Sequence, residues 1–304
     1  MKACIEMLTA ARAETPAETR SALAGIGVSS PGPIGPWSGV IVSPPNLGPQ
    51  FHDIPIATDL EAALGLPVYL ERDTNVAALG EQAFGVARGV DDFLYVTVST
   101  GIGGAIMSGG QLIHGPDGMA GELGHVSIEL DGPLCGCGGS GHLEAISSGV
   151  ALARDARAAV ARGESPFLAA RAAGPAGLAA LDARAVAEGE DAGDPVSSAL
   201  MAHARRAFAM ACAGFVNAFN PELIVVGGSI AEHQGDRLLG PARDEIKRGS
   251  FPTPGARVRI VVPELGPDVS LAGCVPLVSG RLGDDGRWRP GRPSLAAGAS
   301  PGRV

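Results

Sequence analysis

The chain has 304 residues, of which 45% are hydrophobic and 18% are charged, so it holds enough apolar material for a buried core and two lobes. Its formal net charge of −9 argues against a general nucleic-acid-binding surface, which would be basic. It has no apolar run of about 18 residues, no signal-peptide pattern and too few closely spaced cysteines for a secreted disulfide framework. We therefore expect a soluble, cytoplasmic protein that binds neither a membrane nor nucleic acid.

The N-terminal part of the chain alternates helical and strand-like segments. Apolar spacing predicts a helix over residues 2–24, interrupted at Pro16 because proline lacks the N–H that a helix interior needs. Short strands are predicted at residues 24–28 and 39–42, and a helix at residues 60–64. Such alternation is typical of an α/β protein.

A strand at residues 68–71 delivers Arg72-Asp-Thr-Asn75 to its carboxyl end, before a helix at residues 76–81. Ligands gather at the carboxyl ends of strands in open α/β sheets. Asp73 could be the N-cap of the helix, the commoner role for an Asp at such a place. It could also orient a substrate hydroxyl and accept its proton.

The clearest buried strand covers residues 93–98 and runs into Ser99-Thr-Gly-Ile-Gly-Gly104. A Gly-rich turn after a strand exposes backbone N–H groups that can bind phosphate, although hairpin turns have the same composition. Residues 105–113 are predicted to continue as a hairpin. His114 follows, and we expect it to be exposed or structural, with no assigned role.

Residues 119–144 combine two of the six His and two of the five Cys with many Gly. Cys135 and Cys137 flank a single Gly, His125 precedes them and His142 follows. Two thiolates and two imidazoles suit a tetrahedral Zn²⁺, but the spacing is not that of a zinc finger. A Gly-rich loop with two free thiols is the alternative, and the spacing alone does not decide between them.

The remainder of the chain predicts mostly helices. Apolar residues at three- and four-residue spacing predict one long helix over residues 195–219. A strand then enters a Gly turn at Gly227-Gly228, which could be a plain strand-to-helix turn. The other segments are a helical stretch at 148–181, an acidic solvated stretch at 182–194, a strand at 257–262, a helix at 268–277 and a disordered tail at 281–304.

Several of these stretches resemble the ROK family (repressors, open reading frames and sugar kinases). Residues 122–144 resemble its signature E-x-G-H followed by C-x-C-G-x-x-G-C-x-E, with His142 in place of the third Cys. Residues 71–81 resemble its E-N-D-x-N-x-A-A motif, with Arg72 in place of an Asn that contacts sugar in the family. Sugar specificity therefore cannot be copied from the family.

The phosphate-binding elements of the family are matched in part. Residues 99–104 resemble the second phosphate loop of the actin/hexokinase-like ATPase superfamily, and residues 227–228 resemble its adenosine-binding loop. The first phosphate loop, D-x-G-G-T, occurs nowhere in the chain. We expect that the start of the chain lies inside a longer gene, since the later motifs are largely intact; loss of the loop is the alternative.

The resemblance implies an α/β protein with the two-lobed, ribonuclease-H-like (actin/hexokinase-like ATPase) fold and a cleft between the lobes. It implies a small, N-terminally truncated lobe over residues 1–92 and a large lobe with the zinc-type loop over residues 93–280. Residues 268–280 could return to the small lobe, and residues 281–304 form the tail.

The resemblance also implies ATP-dependent phosphorylation of a hexose, glucose-like or an N-acetylhexosamine, at O6. Asp73 would be the catalytic base, Mg²⁺ would accompany ATP, a structural Zn²⁺ would shape the sugar pocket, and the protein would be a homodimer. Sugar would bind Gly32, Asn46, Asp73, Glu122, His125 and Glu144. ATP would bind Thr100, Gly101, Gly103, Gly104, Gly227 and Gly228. The metal would bind His125, Cys135, Cys137 and His142.

Two other functions stay open at this point. One is a sugar-responsive transcriptional regulator of the same family, although the chain has no room for a helix-turn-helix domain and lacks a basic patch. The other is a non-catalytic sugar-binding remnant, because the first phosphate loop is missing. On that basis we expect the chain to bind hexose better than it turns over ATP.

Overall fold

The computed structural model describes residues 1–44, 48 and 50–281. Asn46 and the tail beyond Arg281 lie outside the described residues. Within the described part, no helix combines the length and apolar character needed to cross a bilayer.

The chain divides into two compact units, called here unit 1 and unit 2. Unit 1 contains the described residues of Met1–Arg88, Leu112–Ala120 and the described chain from Glu264 to Arg281. Unit 2 contains Gly89–Gln111 and Gly121–Pro263. The short return of the chain to unit 1 after Gln111 is absent from the sequence-based division at residue 92.

The described chain contains nine strands and thirteen α-helices. The strands are β1 Ile26–Ser30, β2 Ile34–Gly35, β3 Val40–Ile41, β4 Val68–Arg72, β5 Phe93–Val98, β6 Ile102–Ser108, β7 Gln111–Leu112, β8 Leu223–Gly227 and β9 Arg259–Val261. The helices are α1 Lys2–Glu14, α2 Ala17–Arg20, α3 Ile56–Leu64, α4 Asp73–Phe84, α5 Leu143–Ser147, α6 Gly149–Ala161, α7 Pro166–Ala172, α8 Ala183–Asp191, α9 Pro195–Phe219, α10 Ser229–Gln234, α11 Asp236–Gly249, α12 Pro252–Arg257 and α13 Val269–Ser279.

The predicted N-terminal helix ends at Arg20 rather than at residue 24, and its predicted interruption at Pro16 is confirmed. α1 ends at Glu14, and Thr15 is extended with ψ 132°, as expected for a residue that precedes proline. α2 then covers only Ala17–Arg20. The apolar side of α1 is only partly buried, with Ile5 and Leu8 packed against the core of α3 and β4.

In unit 1, β1 and β4 form a parallel pair with Val28 opposite Leu70, and β2 and β3 form a hairpin. Every residue of β4 is buried. α13 packs against both α4 and β1. α4 and α13 meet backbone to backbone, because a Cβ on Gly273 would lie 1.9 Å from the carbonyl oxygen of Val76.

In unit 2, five strands form one sheet in the order β7-β6-β5-β8-β9. β5 is antiparallel to β6 and parallel to β8, and β8 is parallel to β9. The predicted strand at residues 93–98 is confirmed, and so is the helix at residues 195–219, now β5 and α9. α9 contributes Phe208 and Phe215 to the core against β5 and β8.

The parallel pairing of β5 and β8 brings their carboxyl ends side by side. Thr97 lies opposite Gly227 in the register, and the hydroxyls of Ser99 and Ser229 are 2.9 Å apart just beyond the strands. The two Gly-rich turns predicted from the sequence are therefore neighbours at one edge of the sheet, where ligands commonly bind in α/β folds.

Candidate functional site

Asp73 is the first residue of α4 and follows β4 directly. Its side chain is exposed, and Oδ1 accepts a hydrogen bond from Thr74 N at 2.7 Å. The N-cap position belongs to Arg72, whose backbone is extended. Asp73 thus places a carboxylate at the carboxyl end of a buried strand and at the positive end of a helix dipole.

Arg72 is buried beside Asp73, with 4% of its surface exposed. Its Nη2 donates to Ala120 O, and to Asn75 Oδ1 at 3.4 Å. A Cβ on Gly32 would lie 3.6 Å from Arg72 Cδ. The structure therefore brings Gly32, Arg72 and Asp73 to one corner of unit 1, whereas the predicted sugar ligand Asn46 lies outside the described residues.

The predicted phosphate turn is the tight connection between β5 and β6. Thr100 and Gly101 form the turn, whereas Gly103 and Gly104 belong to β6. Two of its backbone N–H groups already have partners inside the protein. Ser99 N donates to Gly101 O at 2.9 Å, and the N–H at position 102 donates to a Glu144 carboxylate oxygen at 2.8 Å.

Glu144, at the start of α5, lies directly under this turn. A Cβ on Gly101 would approach its Oε2 to 2.5 Å, so the turn and the carboxylate are in close contact. The other carboxylate oxygen, Oε1, is 3.9 Å from Cys135 Sγ. Glu144 therefore connects the phosphate-type turn with the Cys/His loop.

The glycines after β8 are needed for packing against β5. A Cβ on Gly227 would lie 2.6 Å from the Tyr95 hydroxyl, and one on Gly228 would lie 2.6 Å from Thr97 Oγ1. Gly228 also has φ 93°, which favours glycine. The resemblance to the family related these glycines to an adenosine-binding loop, and the structure adds a reason that is independent of any ligand.

Unit 2 contains a cavity of about 920 Å³ beside these turns, near the upper end of the usual range for small-molecule sites. Ser99, Thr100 and Ser229 line it, and Val150 and Ile230 provide apolar lining. Its polar and charged lining includes residues that the sequence analysis did not single out: Arg157, Asp182, Arg184, Glu188, Asp191, His233, Gln234 and Arg237. They lie on α6, α10 and α11 and in or next to α8. The sequence of these stretches is that of ordinary solvated helix faces, so no motif indicated that these residues line a cavity.

The four predicted metal ligands converge in unit 2. The ligand atoms of His125, Cys135, Cys137 and His142 all lie within 4.8 Å of one another. Cys135 Sγ is 3.6 Å from His125 Nδ1, and Cys137 Sγ is 3.2 Å from His142 Nδ1. Ligands around one tetrahedral Zn²⁺ lie about 3.4–3.8 Å apart for bonds of about 2.1–2.3 Å. The donor set and its size therefore fit a zinc ion.

Burial raises the pKa of the Cys135 thiol; the hydrogen bond from the Cys137 backbone lowers it in part, and the Cys137 side chain and the Glu144 carboxylate raise it. A bound cation would oppose this effect because it favours the thiolate. Nδ1 of His125 faces Cys135, whereas its other ring nitrogen, Nε2, lies 3.9 Å from Glu122 Oε2. The three residues of unit 2 predicted to bind sugar, Glu122, His125 and Glu144, thus lie around the same loop.

The model of the ROK family matches residues 2–281 of the chain. The chain belongs to the ROK family. Its relatives include a glucokinase from Thermotoga maritima, 34% identical over 258 residues, which cover 85% of this chain and 80% of that protein. A putative xylose repressor from Caldicellulosiruptor sp. is 32% identical over 270 residues, which cover 86% of this chain and 63% of that protein.

Solved structures of ROK proteins share the fold. A ROK hexokinase from Thermus thermophilus matches with a TM-score of 0.74 at 35% identity, covering 91% of this chain and 86% of that one. A ROK glucokinase from Streptomyces griseus, in complex with glucose and AMPPNP, matches with a TM-score of 0.70 at 29% identity, covering 92% and 88%. The expected two-lobed actin/hexokinase-like fold is confirmed, and the relatives support a sugar-kinase chemistry.

Proposed function

We propose that the chain transfers the γ-phosphoryl group of ATP to O6 of a hexose, either a glucose-like sugar or an N-acetylhexosamine. The observation that carries the proposal is the cavity of unit 2 at the turns after β5 and β8, in a chain whose ROK relatives include a glucokinase bound to glucose and an ATP analogue. A cavity of this size fits a nucleoside. The family relation supplies the sugar as acceptor.

In this reaction Asp73 accepts the proton of the O6 hydroxyl while O6 attacks the γ-phosphorus in line. The bond from O6 to phosphorus forms, the bond from the γ-phosphorus to the β–γ bridging oxygen breaks, and ADP leaves with that electron pair. Catalysis of this kind needs positioning and electrostatic stabilisation, without a covalent enzyme intermediate. The remaining sugar contacts we assign are Gly32, Asn46, Glu122, His125 and Glu144.

On the nucleotide side, Thr100 and Gly101 in the turn, with Gly103 and Gly104 in β6, would bind the phosphates. Gly227 and Gly228 would lie against the adenosine, with the cavity receiving the base. Mg²⁺ would accompany ATP and neutralise charge on the phosphate oxygens.

We assign a structural Zn²⁺ to His125, Cys135, Cys137 and His142. Bound there, the ion would hold the loop and fix the tautomer of His125 so that Nε2 is directed at Glu122 and the sugar. All four places would be filled by protein, so the ion would take no part in phosphoryl transfer.

Arg72 is our candidate for the residue that sets sugar preference, because the resemblance places a sugar-contacting Asn at its position. If Arg72→Asn leaves the preference among the sugars unchanged, this assignment is wrong. We also propose a cytoplasmic homodimer, to be tested by sedimentation of the purified chain.

The test is ADP release with glucose, N-acetylglucosamine and N-acetylmannosamine. We would compare the chain with a version extended upstream to include any codons that encode a D-x-G-G-T motif. The expected result is transfer to one of the sugars, strongest in the extended version and abolished by Asp73→Asn. Sugar binding without transfer in both versions would contradict the proposal and favour the sugar-binding or regulatory alternative. Transfer by the unextended chain at the rate of the extended one would contradict the role given to the missing loop.

A further inference from the structure

A buried carboxylate lies directly before the Arg72-Asp73 pair. Glu71 is the fourth residue of β4, and none of its surface is exposed. Its Oε2 is 2.7 Å from His114 Nε2. Its Oε1 accepts hydrogen bonds from Arg72 N at 2.9 Å and from Asn75 Nδ2 at 2.8 Å. Because a carboxylate accepts hydrogen bonds, His114 Nε2 is the donor in this pair.

The balance of these contacts keeps Glu71 ionised. Burial raises its pKa, but the hydrogen bond and charge of His114, together with the Asn75 and Arg72 hydrogen bonds, outweigh burial and leave the pKa below its ordinary value. A buried charge that loses one partner is strongly destabilised. His114 is therefore the partner that makes the buried Glu71 carboxylate tolerable.

The groups held by Oε1 belong to the residues on either side of Asp73. Arg72 immediately precedes it and Asn75 lies two residues after it, so one carboxylate fixes the end of β4 and the first turn of α4. The chain of contacts from His114 through Glu71 thus ends at Arg72 and Asn75, which flank the proposed base.

His114 is itself held from two directions. Its ring lies 5.0 Å from the Trp37 ring at 56°, and its carbonyl oxygen accepts from Ala120 N at 2.9 Å. Ala120 O in turn accepts from Arg72. The segment Leu112–Ala120 is therefore bound to the β4–α4 corner at both ends, by a histidine at one end and a carbonyl at the other.

We propose that His114 is a positioning residue for phosphoryl transfer, which holds the Asp73 corner through the buried carboxylate of Glu71. This inference rests on the proposed function. It assigns a role to a histidine that had none from the sequence alone.

Two substitutions of His114 distinguish the effect of its hydrogen bond to Glu71 from the effect of its ring packing on Trp37. His114→Phe keeps a ring against Trp37 but removes the donor to Glu71, whereas His114→Gln removes the ring and keeps an amide N–H that reaches the place of Nε2. A misplaced catalytic group can cost about 100-fold in rate. We expect kcat of the Phe variant to fall by about that factor with the KM for ATP unchanged, and the Gln variant to keep most of the activity.

The measurement is kcat and KM in whichever version of the chain transfers phosphate, with melting curves to verify folding. His52→Phe is the matched control in unit 1, because His52 is exposed and pairs only with the adjacent Asp53 among the contacts described. Should His114→Phe not fold, His114→Asn replaces it, because its shorter amide cannot reach Glu71 as the Gln amide does.

If the parent chain is active and the Phe or Asn variant has the same kcat, the inference about His114 is wrong while the proposed function stands. The same holds if the Gln variant loses as much activity as these variants. A parent chain without transfer in either version would overturn the proposed function and the inference together.

Discussion

Glu81 offers the sharpest test of how unit 1 is held together. Its side chain is completely buried in α4. Its carboxylate accepts hydrogen bonds from Val86 N at 2.8 Å and Leu265 N at 2.9 Å, and lies 3.1 Å and 3.2 Å from Glu264 N. One carboxylate thus holds the chain after α4 and the chain that re-enters unit 1 before α13.

We expect Glu81→Gln to lower the free energy of unfolding by about 3–4 kcal/mol. Each hydrogen bond to a charged group contributes about 1.5–3 kcal/mol, and three of them are weakened. The amide also has one acceptor oxygen where the carboxylate has two, and its NH₂ group faces backbone donors. The sum over three bonds is an upper limit because the three share one side chain.

Urea unfolding followed by circular dichroism measures the change, and amide exchange in α4 and α13 shows whether it lies in unit 1. Glu61→Gln is the matched control. The exposed Glu61 carboxylate also accepts a hydrogen bond from a backbone N–H, that of Val68 at 3.0 Å. Glu61→Gln should lower the free energy of unfolding by less than about 1 kcal/mol. A Glu81→Gln chain no less stable than the Glu61→Gln chain would refute the reasoning.

Three further predictions follow from other parts of the structure. Purified protein should hold one equivalent of zinc by elemental analysis. The Cys137→Ser variant should lose most of the zinc, whereas the control Cys4→Ser, at an exposed site, should keep it. Zinc-free wild-type protein would contradict the metal assignment. Gly273→Ala should lower the free energy of unfolding by about 1–3 kcal/mol, because its Cβ would lie 1.9 Å from a carbonyl oxygen of α4. The control Gly214→Ala has open space around its Cβ and should stabilise α9 slightly. Equal melting temperatures of the two variants would contradict the close packing. Glu71 has a lowered pKa, so its ionisation stabilises the fold fully above the ordinary value of 4.5 and less as the pH falls through the lowered value. The difference in unfolding free energy between wild type and Glu71→Gln should therefore shrink as pH falls from about 7 to 3, and a constant difference would contradict it.

Local sequence pattern was sufficient for several elements. The apolar spacing of residues 195–219 and the mostly apolar run of residues 93–98 match α9 and β5 to the residue, because each pattern is set by burial of one continuous segment. The same approach extended the N-terminal helical segment to residue 24, whereas α2 ends at Arg20 and neither α1 nor α2 has a buried residue. The spacing of Cys135 and Cys137 with two flanking histidines identified a group of side chains whose ligand atoms converge.

Tertiary structure alone decided how distant segments meet. His114 had no assigned role from the sequence, yet it lies against Glu71, which is 43 positions away. The lining of the cavity comes from the turn after β5 and from residues in or next to five helices, α6, α8, α9, α10 and α11. Gly227 and Gly228 are constrained by β5, a strand more than a hundred residues earlier. Sequence patterns record which side of a segment is buried, because burial repeats with the period of the helix or strand. They do not record which segment covers it, because that depends on contacts between residues far apart in the chain.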